Sequence, residues 1–527
     1  MNHSSTRRLA ALAALVLVAA AVLAVGCGGG GKSGSKGGGG GGTLVDGTTD
    51  TVTNIDPAGN YDYGSATLDA PIFQHLLEAG PGSPKLHPVL ATKCEFQGGL
   101  TTYECELRTG VKFHNGATMT SADVVWSFNR VNKIKDESGI YTLLSNLKDV
   151  VAEGNDRVIF HLKAPQATWP FILTTGAAQI VPKNAYPANK LVANTGKQYG
   201  TGQYMLTRYQ PGQQAVLKKF KDYWGDDAGK ADTLIIRYYT KSSTMKLDLE
   251  GKRIDMAFQS FTPTELSSLK SENGIVVHEG KGSSIRYLVL NVKRPPTDQL
   301  AVRQAIAYMM PRQSIAKLYR GTVKPLYSQV PAGLPGHVDV FADQFGKSPN
   351  AAKAKSALQK AGISMPVNLP LWYTPTHYGD ASADEFAEIK RSLESSGVFK
   401  VTLQSAEWAT YSDALGKTYG AFQLGWFPDY VDAENYLLPF FSSASNFTEN
   451  DYKSSAMDSI LTREQAAKDP GARQDLIRQA QTLSAKDVPI IPYWQGAMVA
   501  ASRDNVDGVD DTLDPTFIMR FWLISKS

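Results

Sequence analysis

The most distinctive chemistry in this chain is a carboxylate placed among aromatic rings. Between Trp408 and Phe441, ten of 34 residues are aromatic, about three times the chain average of 10%. Asp429 lies inside this run, in Pro428-Asp429-Tyr430. An aspartate in this setting either forms a turn after proline or carries a buried negative charge that needs a cationic partner. The segment is therefore either packed core or a site for a ligand that carries a cation.

The motifs that mark enzymes and metal sites are missing from the sequence. Eight histidines are scattered along the chain, and no H-E-x-x-H, C-x-x-C or G-x-S-x-G motif occurs. We therefore expect no catalytic residue, no metal and no cofactor. A surface-anchored hydrolase stays open as an alternative, because acidic residues are plentiful and the fold decides which of them meet.

The N-terminus has the pattern of a secretory signal. Arg7 and Arg8 precede 17 apolar residues, 9–25. A basic start, a short apolar run and small residues before the cut predict a signal peptide over residues 1–26. A Gly/Ser/Lys tether over 27–43 follows. A bilayer span is the alternative, but the run is short for one.

Cys27 is the first residue after this signal. The arrangement resembles the lipobox of bacterial lipoproteins, although Ala24 stands where leucine is usual and Leu23 lies one place earlier. The resemblance implies that Cys27 is lipidated. The protein is then anchored at the extracytoplasmic face of the cell membrane, which is periplasmic if an outer membrane exists.

Cys94 and Cys105 are predicted to form a disulfide, because the signal directs the chain to an oxidising compartment. The segment between them has the pattern of a hairpin. A two-residue turn that begins at Gly99 places Cys94 opposite Cys105 and Phe96 opposite Tyr103. Opposed strand residues lie about 4.5–5.5 Å apart, within disulfide range. Two reactive or metal-binding thiols are the alternative.

The size and composition indicate a soluble protein of several domains. About 484 residues follow the tether, more than one hydrophobic core usually spans, so two or three domains are expected. The hydrophobic content of 42% and the charged content of 20% are ordinary. The net charge of +4 provides no argument for a nucleic-acid partner.

Helix and strand patterns alternate irregularly, which favours a mixed α/β architecture. Four helices are indicated by their caps and apolar stripes. The first helix begins at Thr120 with a capping box to Asp123, and the second runs from about Leu300 to Pro311. The third passes through Phe386, Ile389 and Leu393. The fourth begins at Asp469-Pro470. Strands are predicted over 158–162, 234–239, 287–291 and 421–425.

Several segments together resemble one known family. The clearest is Leu107-Arg108-Thr109-Gly110-Val111-Lys112-Phe113-His114-Asn115-Gly116, followed by Thr120-Ser121-Ala122-Asp123-Val124. Further matching segments in chain order are 87–91, 200–204, 223–225, 249–255, 287–291, 302–308 and 489–492. They resemble the family-5 extracellular solute-binding proteins, the oligopeptide- and dipeptide-binding lipoproteins of ABC importers. Gln203 and Cys94 depart from the family pattern.

The resemblance implies an α/β fold of the two-lobed periplasmic-binding-protein kind, with mixed sheets and an additional inserted domain. Lobe I is then discontinuous, and its hinge strands fall near Tyr204 and Gln495. The predicted division assigns lobe I to 44–76, 199–283 and 495–527, inserted domain II to 77–198, and lobe III to 284–494.

The resemblance also implies a ligand site on Leu424-Gly425-Trp426-Phe427-Pro428-Asp429-Tyr430. Peptide-binding relatives carry a similar G-W-x-x-D-Y stretch, and its aspartate grips the ligand's N-terminal ammonium. That role falls on Asp429, with Trp426 beside it and the Gly425 backbone pairing with the peptide. The expected ligand-binding residues are Asp429, Trp426, Gly425, Phe427, Tyr430 and Asp56.

We accordingly expect a lipid-anchored, monomeric binding protein of an ABC importer. It captures short peptides in an interlobe cleft by hinge closure and delivers them to a permease. The same fold with a non-peptide solute is the alternative: a metal chelate, haem, an oligosaccharide or an opine.

Overall fold

Strands and helices alternate irregularly through residues 42–259, 261–444 and 446–527, which a computed structural model describes. The signal peptide, Cys27 and nearly all of the tether lie outside these residues. The strands are β1 Thr43–Thr48, β2 Leu77–Ala79, β3 Leu86–Pro88, β4 Ala91–Phe96, β5 Thr102–Leu107, β6 Leu147–Glu153, β7 Arg157–Leu162, β8 Tyr204–Gln210, β9 Gln214–Lys219, β10 Thr233–Tyr238, β11 Met256–Phe258, β12 Ile275–Gly280, β13 Ile285–Leu290, β14 Val323–Pro325, β15 Val367–Tyr373, β16 Phe399–Ser405, β17 Ala421–Trp426, β18 Ile490–Gly496, β19 Met498–Arg503, β20 Val506–Asp507 and β21 Ser525–Lys526. The helices are α1 Tyr63–Asp69, α2 Ser121–Ile134, α3 Trp169–Ile172, α4 Ser242–Glu250, α5 Pro263–Leu269, α6 Leu300–Met309, α7 Arg312–Leu318, α8 Val340–Phe345, α9 Ala351–Lys360, α10 Pro375–Tyr378, α11 Ala381–Ser395, α12 Trp408–Asp413, α13 Leu438–Phe441, α14 Ser455–Gln465 and α15 Pro470–Asp487.

The helices and strands expected from sequence periodicity are confirmed. Thr120 and Asp123 form the capping box at the start of α2, and Asp469 caps α15 through the Ala472 amide. These signals succeed because capping and amphipathic stripes act within one or two turns of the chain. In the part of the chain that the structure describes, no helix has the length and apolar character that a bilayer crossing requires.

A seven-stranded mixed sheet takes all its strands from the predicted segments of lobe I, in the order β12-β19-β11-β1-β10-β9-β8. Strand β1 runs parallel to β10 and β11, and the other pairs are antiparallel. One face buries Leu44, Leu234 and Met256, whereas Met245 and Leu249 of α4 cover the other face. Alternation along β1 produces these two cores.

A six-stranded mixed sheet, in the order β14-β18-β13-β17-β15-β16, forms the centre of lobe III. Leu288 and Leu290 point into one core, and Tyr287 and Val289 point into the core on the opposite face. Strand β13 is buried on both faces, which explains its nearly continuous apolar sequence. Strand β18 runs two residues past the predicted end of lobe III at 494.

Domain II contains a four-stranded antiparallel sheet, β4-β5-β7-β6. A disulfide joins Cys94 to Cys105 across β4 and β5, and Phe96 pairs with Tyr103. The predicted two-residue turn at Gly99 is wrong in detail. Gln97 donates to the Thr102 carbonyl at 2.9 Å, so residues 98–101 form a four-residue loop. The register is unchanged because both turns centre on the same pair of residues.

The chain crosses between the two large sheets at two places. Residues 281–284 connect β12 to β13, and Ala497 separates β18 from β19. The crossing after Gln495 lies where the hinge was expected. Tyr204 begins β8 at the outer edge of the seven-stranded sheet, so its place near a hinge stays a prediction. The sheet order shows which strands pass between the two large sheets.

Candidate ligand-binding site

The segment 425–430 lies at the crossing between the lobes because of the register of lobe III. Strand β17 pairs with β13 so that Trp426 is opposite Ile285 and Gly425 is opposite Arg286. Ile285 comes directly after the crossing residues 281–284. The chain leaves β17 at this point, runs through Asp429 and enters a 3-10 helix, Ala433–Tyr436. The Tyr436 hydroxyl donates to the Ser283 carbonyl in the crossing at 2.8 Å.

Asn435 holds Asp429 in position from within lobe III. Its side-chain nitrogen donates to Asp429 Oδ2 at 3.0 Å. Its side-chain oxygen accepts from the Asp429 amide at 2.9 Å and from Trp426 Nε1 at 3.0 Å. A buried amide that satisfies three groups locks the loop into one conformation. The carboxylate therefore has a defined place at the end of β17.

A second donor reaches Asp429 from the opposite lobe. The Tyr61 hydroxyl donates to Asp429 Oδ1 across 368 sequence positions. Phe427 also extends from lobe III into contact with lobe I. There its ring stacks on Tyr63 at 5.9 Å and meets Phe517 edge-on at 5.2 Å. The lobes therefore touch through the same segment that was predicted to bind ligand.

The pKa of Asp429 reflects burial and neutral hydrogen-bond donors among the described residues. Burial raises the pKa of Asp429, whereas the hydrogen bonds from Asn435 and Tyr61 lower it. In the described part of the chain, the groups that act on this pKa include no cationic side chain. An arrangement of this kind can bind an ammonium or guanidinium group.

Trp426 and Tyr430 lie mainly in packing contacts. Trp426 is buried and meets Phe440 and Phe447 at 5.1 and 5.0 Å. Tyr430 leaves lobe III and joins the core of domain II, and its hydroxyl donates to Glu434. Their ligand-binding roles remain predictions, and the structure adds that both side chains stabilise the segment around Asp429.

Gly425 has a steric reason to be glycine. A Cβ atom at this position would lie 3.2 Å from both Arg286 Nη1 and Tyr378 Cε1. Its amide donates to the Tyr378 hydroxyl at 2.8 Å. The expected backbone pairing with a peptide stays a prediction, and it requires the Tyr378 hydroxyl to move from this amide.

Asp56 lies in the interior, away from the group that forms around Asp429. It is fully buried, and Arg130 contacts its two oxygens at 2.8 and 2.5 Å. The amides of Ala58 and Val192 donate to the same carboxylate at 3.1 and 2.7 Å. With its charge balanced by Arg130, Asp56 joins lobe I to domain II. These contacts give Asp56 a structural role, and its ligand-binding role stays a prediction.

Arg286 is a functional candidate that sequence reasoning missed. Its guanidinium lies 3.7 Å from the centre of the Tyr378 ring and 4.9 Å from that of Trp494. Its Nε and Nη1 atoms are buried without a hydrogen-bond partner. The signal was available in the sequence, because Arg286 interrupts the apolar strand 285–290.

The nearest counter-charge explains why Arg286 keeps free donors. The fully buried Glu385 acts on the pKa of Arg286 and raises it against the effect of burial. Glu385, however, already accepts four hydrogen bonds, which come from Tyr319, Gln423, Tyr493 and Trp494. The guanidinium is thus electrostatically balanced yet able to donate to an incoming acceptor.

Two cavities open elsewhere on the described surface. One of about 320 Å³ lies beside Arg294 and Trp372, and one of about 430 Å³ lies beside Gly82 and Asp511. Neither is lined by a residue of the segment 425–430. Their positions carry no argument about the ligand.

The comparison with known protein families identifies the class of this protein. The sequence pattern of the bacterial extracellular solute-binding proteins, family 5 Middle, matches residues 85–448. The chain therefore belongs to this family, and the resemblance seen in the sequence is confirmed.

Relatives and solved structures agree with this assignment. The dipeptide-binding protein of Escherichia coli K12 is 26% identical over 479 residues, which cover 84% of this chain and 87% of the relative. The periplasmic binding protein DppA from Helicobacter pylori, solved with the peptide STSA, has a TM-score of 0.78 at 23% identity and covers 92% of this chain and 98% of its own. AgaA from A. tumefaciens R10, solved with agropinic acid, has a TM-score of 0.76 at 21% identity, with coverages of 92% and 99%. These structures confirm the predicted α/β fold of the periplasmic-binding-protein kind.

Proposed function

We propose that this protein captures short peptides through their free N-terminal ammonium and delivers them to an ABC permease. The observation that carries the proposal is Asp429, which Asn435 holds where the lobes meet and whose pKa is affected by no cationic side chain among the described residues. A charge placed in a closing cleft is costly unless a partner charge arrives with the ligand. The ligand's ammonium supplies that partner.

Arg286 provides a second anchor of opposite sign. Its unpartnered donors lie over Gly425, close to the same strand end. We propose that they receive an acceptor of the peptide, with its C-terminal carboxylate as the natural candidate because arginine binds carboxylates in bidentate geometry. A ligand that binds Asp429 through an ammonium and Arg286 through a carboxylate is a short zwitterion.

The relatives support a peptide over other solutes. The Escherichia coli relative is named for dipeptides, and the Helicobacter pylori structure contains a peptide. The structure with agropinic acid shows that the same fold also accepts a non-peptide solute. A carboxylate placed to meet an amino group favours the peptide for this chain.

The proposal extends to where the protein works. We propose that the signal peptide 1–26 exports the chain and that a lipid on Cys27 holds it, as a monomer, at the extracytoplasmic face of the membrane. Closure of the lobes over the peptide presents a shape that the permease recognises. Metabolic labelling with a lipid precursor, with Cys27→Ser as the control, tests the anchor.

The peptide role is tested by blocking the ligand's amine and removing the charge of Asp429. Calorimetry compares an equimolar mixture of tripeptides with free N-termini to the same mixture N-acetylated, on the wild type and on Asp429→Asn. We expect either change to weaken binding about 10²–10⁴-fold, since an unpaired buried charge costs about 3–5 kcal/mol. Binding that survives both changes would refute the ammonium role.

A further inference from the structure

We propose that Tyr61 is a positioning residue of the ligand site: it carries a hydroxyl across the cleft to Asp429, so that the carboxylate stays an anion when the lobes close on an ammonium. The inference rests on the proposed function and adds a lobe I residue to it. The observation that carries it is the hydrogen bond from Tyr61 to Asp429 Oδ1 between lobes.

The backbone on both sides of Tyr61 is firmly held. Before it, Asp56 caps the 3-10 helix Pro57–Gly59, and Asn60 donates to the buried Asp69 at 2.9 Å. After it, Asp62 caps α1 through the Ser65 amide at 2.8 Å. A rigid loop thus presents a side chain that is itself 48% exposed. The position of the hydroxyl is set by the loop, and the side chain contributes little to the core.

Closure creates the need for such a donor. In the arrangement that the structure describes, burial raises the pKa of Asp429. The hydrogen bond from Tyr61 acts in the opposite direction and replaces lost solvation. A carboxylate offers about four acceptor positions. Asn435 and Tyr61 occupy one each, and the remaining positions are left for an ammonium.

Of the tyrosine hydroxyls near Asp429, that of Tyr61 is the one that reaches it from the opposite lobe. Among the described residues, the titratable groups that act together with Asp429 are Tyr61 from lobe I and Tyr430 and Tyr436 from its own side. Burial raises the pKa of each of these phenols, so all three keep their protons through the neutral range. The hydroxyl of Tyr430 is directed to Glu434 and that of Tyr436 to Ser283.

The test is Tyr61→Phe in the full chain, with calorimetric titration of the free-amine tripeptide mixture from pH 5 to pH 8. We expect about tenfold weaker binding at neutral pH, which is the low end for a hydrogen bond to a charged group. The loss should grow as the pH falls, because Asp429 is protonated at higher pH without its donor. In the Asp429→Asn background, Tyr61→Phe should have no further effect.

Tyr239→Phe is the matched control. It removes another tyrosine–aspartate hydrogen bond, to Asp248 at 2.7 Å, beside the core on the other face of the seven-stranded sheet. Its pH profile should equal that of the wild type. An unchanged or tighter Tyr61→Phe would overturn the inference, as would an equal loss in both backgrounds. If Asp429→Asn weakens binding but Tyr61→Phe does not, the proposed function stands and the role of Tyr61 is refuted. If neither variant weakens binding, the proposed function and the role of Tyr61 are both refuted.

Discussion

Two aspartates beside prolines show how the partners of a carboxylate decide its role. Asp56 accepts four hydrogen bonds, two of them from Arg130, so its charge is used within the fold. Asp429 receives neutral donors, Asn435 and Tyr61, in the described structure. The missing cation, rather than the neighbouring proline, distinguishes a ligand group from a structural one.

Arg286 leads to a prediction about the other end of the ligand. Arg286→Met should weaken binding of free-acid tripeptides about 10–100-fold, because charge-assisted hydrogen bonds are lost. Binding of the C-terminally amidated mixture should change little, and calorimetry with both mixtures measures the difference. Arg294→Met is the control, since Arg294 donates to the Gly416 carbonyl elsewhere in lobe III. An equal loss for acids and amides would show a packing role only.

At the scale of elements, the 3-10 helix Ala433–Tyr436 connects the site to a buried charge cluster. Arg473 of α15 contacts Asp432 at 2.9 and 2.6 Å and Glu464 of α14 at 2.5 Å. Glu434 is buried beside them and accepts from Tyr430. Arg473 thus contacts two carboxylates and acts electrostatically on a third, Glu434. The support of the site is therefore sensitive to protonation.

The pH dependence of stability has a definite sign here. Burial is the main cause that raises the pKa of Glu434 and of Glu464. A carboxyl whose pKa rises on folding holds its proton more tightly in the folded state. Its contribution to stability is full below the ordinary carboxyl pKa and is lost as the pH rises from there to the raised pKa. Glu434→Gln should remove part of this fall and stabilise the protein by about 1 kcal/mol or more at pH 8.

Thermal unfolding between pH 5 and pH 9 measures this effect. The exposed Glu137→Gln is the control and should follow the wild type, since its side chain lies on the surface. A Glu434→Gln variant whose pH curve runs parallel to that of the wild type would contradict the assignment. The result also reports on the site, because Asn435 follows Glu434 directly in the chain.

At the scale of the whole molecule, two chain crossings connect the large sheets of the two lobes. They touch each other: a Cβ at Gly282 would lie 2.3 Å from the Gly496 carbonyl oxygen. Such closeness leaves no room for a side chain without separating the crossings. The two crossings are therefore packed against each other rather than free linkers, and we expect them to act as a constrained hinge that favours a defined closed state.

Gly282→Ala tests this description of the hinge. We expect a lower melting temperature and weaker peptide binding, because the closed arrangement must be distorted to fit the methyl group. Small-angle scattering with and without the tripeptide mixture should show a smaller contraction than in the wild type. Gly99→Ala is the control, since a Cβ there would have Thr101 Oγ1 as its nearest neighbour, at 3.8 Å. A full contraction in Gly282→Ala would contradict the packed hinge.

Local features were within reach of the sequence. The capping box at Thr120, the Asp469-Pro470 helix start and the Cys94–Cys105 register depend on residues close together in the chain. The segment around Asp429 was recognised for the same reason, since its motif is contiguous. The roles expected for Asp56 and Tyr204 stay predictions, because they depend on partners that lie far away in sequence.

The amino-acid sequence alone determined the periodicities, the caps and the family, because each is written in short runs of neighbouring residues. Only the tertiary structure decided that Arg130 neutralises Asp56, that Tyr61 reaches Asp429, and that Arg286 keeps free donors beside Glu385. These pairings depend on strand order and on where the chain passes between sheets. Contacts across tens to hundreds of residues follow from that topology, which no local pattern encodes.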